Sequence, residues 1–124
     1  MVSLFGRHIR LGRSGEDLAE EFFLKQGCTI ADKNFRTRFG ELDLVLENGE
    51  EIIFVEVKTR RAHGFGRPEE AVTPDKQARI RRCAESWLME RGLLESGRPL
   101  RFDVLAITME GDGKPSYRHI PYAF

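Results

Sequence analysis

Two short stretches of the chain carry residues whose types and spacing support a shared reaction. They are Gly40-Glu41-Leu42-Asp43-Leu44 and, a little further on, Phe54-Val55-Glu56-Val57-Lys58. In both, the charged residues are spaced two apart or flanked by apolar ones, so on a strand the charged groups fall on one face. Two carboxylates a few ångströms apart repel and raise each other's pKa unless a cation sits between them. Oxygen ligands of this kind suit a hard divalent ion, Mg²⁺ or Mn²⁺. Such an ion polarises a phosphoryl oxygen and lowers the pKa of bound water, while an ammonium two residues past the second carboxylate orients the water or steadies developing charge. The chemistry this describes is phosphodiester hydrolysis. The acid-x-lysine triplet alone is unspecific: it recurs as Asp112-Gly113-Lys114 in a glycine turn, where a turn role suffices. Glu56-Val57-Lys58 differs in lying late on an apolar strand with an aspartate on the neighbouring one. The competing reading is a salt-bridge ladder on a solvated sheet face, common and of little energetic weight.

The strands that position these groups are legible. Asn48-Gly49 is a strong signal for a two-residue type I′ turn and joins expected strands over 41–47 and 50–59. With that turn Glu47 faces Glu50, and Asp43 faces Phe54. Asp43, Glu56 and Lys58 then share a face, with Glu41 beside them and Val45, Ile52 and Phe54 as an apolar floor near the turn. Leu42, Leu44, Leu46, Ile53, Val55 and Val57 form the opposite face, which a helix must cover. Upstream, Ser14 as N-cap, the apolar set Leu18, Phe22 and Phe23, and Gly27 as stop predict a helix over 15–26. Residues 28–38 read as a strand. Thr73-Pro74 opens a second helix whose stripe Ile80, Cys83, Ala84, Trp87 and Leu88 follows helical spacing and ends at Gly92. Strands over 100–108 and 117–124 complete the order α-β-β-β-α-β-β.

The charges are segregated. Residues 41–56 hold six acids and no base, a net of −6, whereas residues 58–82 hold eight bases against three acids, a net of +5. The whole chain balances 20 Lys+Arg against 20 Asp+Glu, so any attraction to nucleic acid rests on distribution and not on total charge. An acidic pocket beside an arginine-rich surface suits a metal-dependent enzyme acting on a polyanion. Arg36, Arg38, Arg60, Arg61, Arg67, Lys76 and Arg79 are the candidate phosphate contacts, and the arginines with Phe65 are candidates for stacking on bases. For Lys76, Arg79, Arg81 and Arg82 the simpler alternative is the solvated face of an amphipathic helix. At 124 residues the chain suits a single domain, 1–124. It contains no apolar run of membrane-spanning length and no signal peptide, and a cytoplasmic location is expected. Two cysteines and three well-separated histidines make neither a disulfide framework nor a zinc cage. Cys28 and Cys83 read as small buried apolar groups.

One ordered set of residues spans nearly the whole chain: Gly15-Glu16 at a helix start, Asn34 with Arg36, Gly40-Glu41-Leu42-Asp43-Leu44, and Phe54-Val55-Glu56-Val57-Lys58-Thr59-Arg60. It continues through Phe65-Gly66, Pro68, Ala71-Val72 and Lys76 to Arg101-Phe102-Asp103-Val104. This set resembles the YraN family of predicted endonucleases, part of the restriction-endonuclease-like superfamily and similar to archaeal Holliday junction resolvases. The resemblance implies an α/β fold with a restriction-endonuclease-like core, a mixed central sheet flanked by helices. It implies Asp43 and Glu56 as ligands of Mg²⁺ or Mn²⁺, Lys58 as the catalytic lysine, and Glu16 as a further catalytic and metal-binding acid. From the sequence alone Glu16 needs no such role, being an acid favourably placed against a helix N-terminal dipole. Glu41 matches the family's motif and either binds metal or borders the site. The superfamily's proline before the first aspartate is Leu42 here, as is ordinary for the family, and Tyr122 stands where asparagine is more usual before the final Ala-Phe.

The expected function is a metal-dependent nuclease acting on nucleic acid, DNA in preference to RNA, with branched or otherwise structured DNA the implied substrate. The alternative is a nucleic-acid-binding or scaffold module that keeps the nuclease fold without cleavage. A nucleotide phosphohydrolase is disfavoured because the chain has no glycine-rich phosphate loop. A resolvase-like nuclease cuts two strands, which favours a homodimer; the apolar stretches 2–5 and 120–124 are its candidate contacts.

Overall fold

A computed structural model describes residues 14–61 and 72–124. Local chemistry accounts for both helices. Ser14 accepts a hydrogen bond from the Asp17 N–H at 3.1 Å and caps α1 (Gly15–Lys25), whose first turn carries Glu16 and Asp17 where the dipole favours acids. Leu18, Ala19 and Phe23 bury its inner face. Thr73 caps α2 (Pro74–Glu90) through the Lys76 N–H at 3.3 Å, with Pro74 in the first turn. The expected stripe, Ile80, Cys83, Ala84, Trp87 and Leu88, is buried throughout. This helix stops at Glu90, and Gly92 follows with a left-handed φ of 69° while the Leu93 N–H returns to the Leu88 carbonyl at 2.8 Å.

Five strands form one mixed sheet in the order β1 (Thr29–Thr37), β2 (Gly40–Asn48), β3 (Glu51–Arg61), β4 (Leu100–Met109), β5 (Pro115–Ile120). All neighbours are antiparallel except β3 and β4, which run parallel because α2 carries the chain back between them. The element order and the α/β architecture with a helix on each face match the restriction-endonuclease-like core expected from the sequence. Leu44, Leu46, Ile53, Val55, Leu105 and Ile107 meet α1, and Val45, Ile52, Phe54 and Val104 meet α2. The second face is therefore core near the turn and charged only beyond it.

Two details of the expected hairpin differ. Asn48 pairs with Glu51, so the turn residues are Gly49, with φ 64°, and Glu50. The register moves by two residues, and because side chains alternate with period two every face assignment on β3 survives. Leu42, however, packs on the α2 side with Val45 and Phe54 instead of with Leu44. Asn34 explains it: its φ of 53° resets the pleat of β1, and Phe35, the partner of Leu42, turns to α2 with it. The last strand is shorter than expected. After Ile120 the chain leaves the ladder, yet the Ala123 N–H bonds the Phe102 carbonyl at 2.7 Å and the Phe124 ring stacks on Phe102 at 5.3 Å. Cys83 is buried as expected, whereas Cys28 is partly exposed. Among the described residues no helix is long and apolar enough to cross a membrane.

Candidate active site

The site lies where the sheet forks. The β2–β3 ladder runs from Asn48↔Glu51 to Leu44↔Val55, and beyond it β2 stays with β1 while β3 stays with β4. Asp43 is the first β2 residue past the fork. Its Oδ2 accepts the Val57 N–H at 2.8 Å, so a side chain takes the place of a ladder bond and the carboxyl is fixed between the parting strands. Glu56, paired with Val104 on β4, stands close enough to share a hydrogen bond with Asp43 when one of them is protonated. Lys58 Nζ lies 3.6 Å from Glu56 Oε2, with both side chains largely shielded from solvent. Glu16 reaches the same field from α1, near enough for its charge to bear on Asp43. A close approach makes that possible: a Cβ on Gly15 would overlap Thr59 Oγ1 and touch Val57.

Burial and the neighbouring Glu56 charge push the Asp43 pKa up from 3.8 to about 7, against the Val57 N–H, which favours the ionised form. Two carboxyls sharing a shielded space, one of them reluctant to ionise, form a donor set that a hard divalent ion fits. Among the described residues no three His, Cys, Asp or Glu side chains converge as one ligating group. Asp43 and Glu56 are thus brought together as a pair, and Glu16 stands off from them. Two carboxylates leave coordination positions for water and phosphate oxygen, which is how Mg²⁺ is commonly held at phosphoryl sites.

Beside Glu56 opens a pocket of about 210 Å³ lined by Gly40, Glu41, Lys76, Arg79, Ile80 and Cys83. Lys76, from the first turn of α2, is within hydrogen-bonding reach of Lys58, and that like charge holds its pKa below the usual lysine value. Lys58, Lys76 and Arg79 therefore gather positive charge next to the acids. Glu41 borders the pocket, and its Oε2 lies 3.8 Å from the exposed Arg36 Nε. Arg38 lies over the Phe39 ring at 5.0 Å. Arg60 and Arg61 end β3, with Arg61 exposed. Arg67 and Phe65 lie outside the described residues, as do residues 2–5 of the expected dimer contact.

One buried cluster escaped the sequence reading. Asp103 is fully buried on the α1 face; it accepts from the Arg101 guanidinium at 2.8 and 2.9 Å and the Tyr122 N–H at 3.1 Å, and meets His119 Nε2 at 2.7 Å. Burial pushes its pKa up, but the contacts with His119, Arg101 and the Tyr122 N–H outweigh burial and hold it below 3.8. An acid inside the apolar run Phe102–Ile107 was the available signal, since a charge in a buried strand must be paired. This cluster ties β4 to β5 and the C-terminal residues, on the opposite face from the pocket.

Residues 15–107 match the family model described as "Uncharacterised protein family UPF0102". A UPF0102 protein of Rhodococcus jostii (strain RHA1) is 45% identical over 94% of this chain and 98% of its own length. Another, of Geobacter sulfurreducens, is 46% identical over 92% of this chain and 88% of its own. The structure titled "The structure of Pyrococcus Furiosus SfsA in complex with Ca2+" is similar at a TM-score of 0.33 and 19% identity, over 85% of this chain and 60% of that one; a likeness of that size supports no inference. The family match and the close relatives agree with the resemblance to YraN proteins, and this chain belongs to the UPF0102 family.

Proposed function

We propose that the chain is a metal-dependent nuclease that hydrolyses phosphodiester bonds in nucleic acid, with structured or branched DNA as substrate. The observation that carries this reading is the contact of Asp43 with Glu56 at the fork, Lys58 beside them and a basic wall across the pocket. Asp43 and Glu56, with Glu16 behind them, would hold Mg²⁺ or Mn²⁺, which when bound supplies Lewis-acid polarisation of the phosphoryl oxygen and a more acidic water. The Val57 N–H fixes the Asp43 carboxylate in its orientation. Lys58 presents its ammonium to the negative charge that grows on the phosphoryl oxygens as water attacks phosphorus. Lys76 and Arg79 hold the flanking phosphates, with Arg36, Arg38, Arg60, Arg61 and Arg67 extending the contact along the strand. Water adds to phosphorus and the ester oxygen leaves with a proton, giving a phosphomonoester and an alcohol. The proposed enzyme works as a homodimer, one site per strand, which light scattering at working concentration checks.

A binding module without cleavage is the second reading. It draws on one observation, that no three acidic or ligating side chains converge among the described residues. Cleavage assays separate the two. Wild type is expected to cut a four-way junction or flap DNA with Mg²⁺ or Mn²⁺ but not with EDTA. Asp43→Ala, Glu56→Ala and Lys58→Ala are each expected to lose at least about a hundredfold in rate while still binding DNA. Binding by all four proteins with no cutting of junction, flap, single-stranded, duplex or RNA hairpin substrates would transfer the assignment to the binding module.

A further inference from the structure

The tip between β1 and β2 is built more firmly than a solvent-exposed turn requires. Thr37 Oγ1 accepts the Phe39 N–H at 2.9 Å, donates to the Gly40 carbonyl at 3.1 Å, and lies 3.3 Å from Cys83 Sγ on α2. Gly40 sits at φ 144°, where a side chain would be strained. These contacts hold the Phe39 ring in one place against the α2 side of the core. Two guanidiniums lie over that ring, Arg38 at 5.0 Å from the tip itself and Arg82 at 5.6 Å from α2. Both arginines are exposed, and among the described residues neither has a hydrogen bond or an ion pair. The next two residues, Gly40 and Glu41, line the pocket that contains Glu56. The chain thus holds an aromatic ring and two exposed planar cations, unpaired among the described residues, at the rim of the acid pair.

Like charges placed on one ring repel, so an arrangement that holds them there suits an anionic partner. Phosphate satisfies the charge through the guanidinium edges but leaves the stacking faces unused. An unpaired nucleotide uses both: its base stacks on a guanidinium or ring face and its phosphate meets the cation. In a continuous duplex the base faces are already covered by their neighbours, so the same surface would find only phosphates there.

We propose that Arg38, Phe39 and Arg82 form a docking platform for an unpaired nucleotide next to the bond to be cut, which makes the substrate class nucleic acid with unpaired or displaced nucleotides at the cleavage point. The placement beside the scissile bond rests on the nuclease reading, while the platform itself is measured by binding alone.

The test is fluorescence anisotropy with EDTA present, on a plain duplex, the same duplex with a single-stranded flap, and the flap carrying 2-aminopurine at its first unpaired position. Wild type is expected to bind the flap substrate about tenfold more tightly than the duplex, with 2-aminopurine fluorescence quenched on binding. Phe39→Leu keeps an apolar side chain on the core and removes the aromatic face; it is expected to lose most of that preference and the quenching while duplex affinity stays within about twofold. Arg38→Ala, at an exposed position, tests the platform without touching the core and is expected to reduce the preference as well. The platform is overturned if wild type binds both DNAs alike or binds neither, or if Phe39→Leu and Arg38→Ala keep the full preference. It is equally overturned if Arg38→Ala weakens flap and duplex in proportion, the mark of plain phosphate contact. Flap preference without metal-dependent cutting would uphold the platform and sink the nuclease, and cutting without flap preference would do the reverse.

Discussion

Asp43 ionises near neutral pH only against its own burial and the charge of Glu56. Its folded pKa of about 7 lies above the ordinary 3.8, so between those values the folded state keeps a proton that the unfolded state has lost. Stability must fall as pH rises through that window, and the full cost persists above it. Asp43→Asn is therefore expected to stabilise the metal-free protein by on the order of 1–2 kcal/mol at about pH 8, and to make little difference below about pH 4. Thermal melts across pH measure this, and added Mg²⁺ should raise the melting temperature of wild type but not of the variant. Equal stability at pH 8 would show that the carboxyl ionises freely. Asp103 has the opposite sign. Its folded pKa lies below 3.8, so the stability it contributes is present above that value and is lost only as pH falls through the lower folded value. Asp103→Ala leaves the Arg101 guanidinium without its buried partner and is expected to cost about 3–5 kcal/mol in urea titrations, whereas a loss under about 1 kcal/mol would mean that Glu51, 3.0 Å from Arg101, replaces it.

The elements divide by how local their causes are. Ser14, Thr73 and Pro74 act within one turn of their own helices, and the stripe from Ile80 to Leu88 needs only helical spacing, so α1 and α2 are legible in the sequence. The faces of β3 follow from period two and survive the shifted turn. What could not be read depends on partners far away in the chain. Asn48-Gly49 has the composition of a turn, yet the turn falls one residue on, with Leu44, Val45 and Leu46 set opposite Val55, Phe54 and Ile53. Leu42 changes sides through Asn34, and the isolation of Asp103 in its strand gave no hint that Arg101, His119 and the Tyr122 backbone would surround it. Of the site, the pairing of Asp43, Glu56 and Lys58 was legible; that the strands part there, and that Lys76 comes up to Lys58, was not. Gly15 belongs to this scale because it lets α1 lie against β3. Alanine there is the better helix former by less than about 1 kcal/mol, but its Cβ would overlap Thr59 Oγ1. The overlap should win, destabilising Gly15→Ala by about 1–3 kcal/mol, with most of the loss recovered in Gly15→Ala/Thr59→Ala. Chemical denaturation of the single and double variants checks this, and a single variant as stable as wild type would place α1 farther from the sheet.

Over the whole molecule the charges cancel, yet 41–56 and 58–82 carry opposite signs and α2 brings Lys76 and Arg79 to the pocket that holds Glu56. A protein of zero net charge can still bind a polyanion when its cations are gathered on one side. DNA binding is expected to weaken with salt, and Lys76→Ala and Arg79→Ala should each reduce the slope of log K against log salt by about 0.9; an unchanged slope in both would remove them from the phosphate contact. The parallel pairing of β3 with β4 also sets the order of assembly. The β2–β3 ladder closes through a two-residue turn, which is fast, but it ends before the fork. Glu56 and Lys58 gain their neighbours Val104 and Ala106 only after a loop of about fifty residues has closed. A folding chain would therefore hold its hairpin well before it holds its acids in place, and the proposed capacity to capture a divalent ion would arrive with the last long-range contacts, which would make metal uptake a clock for the completion of the sheet.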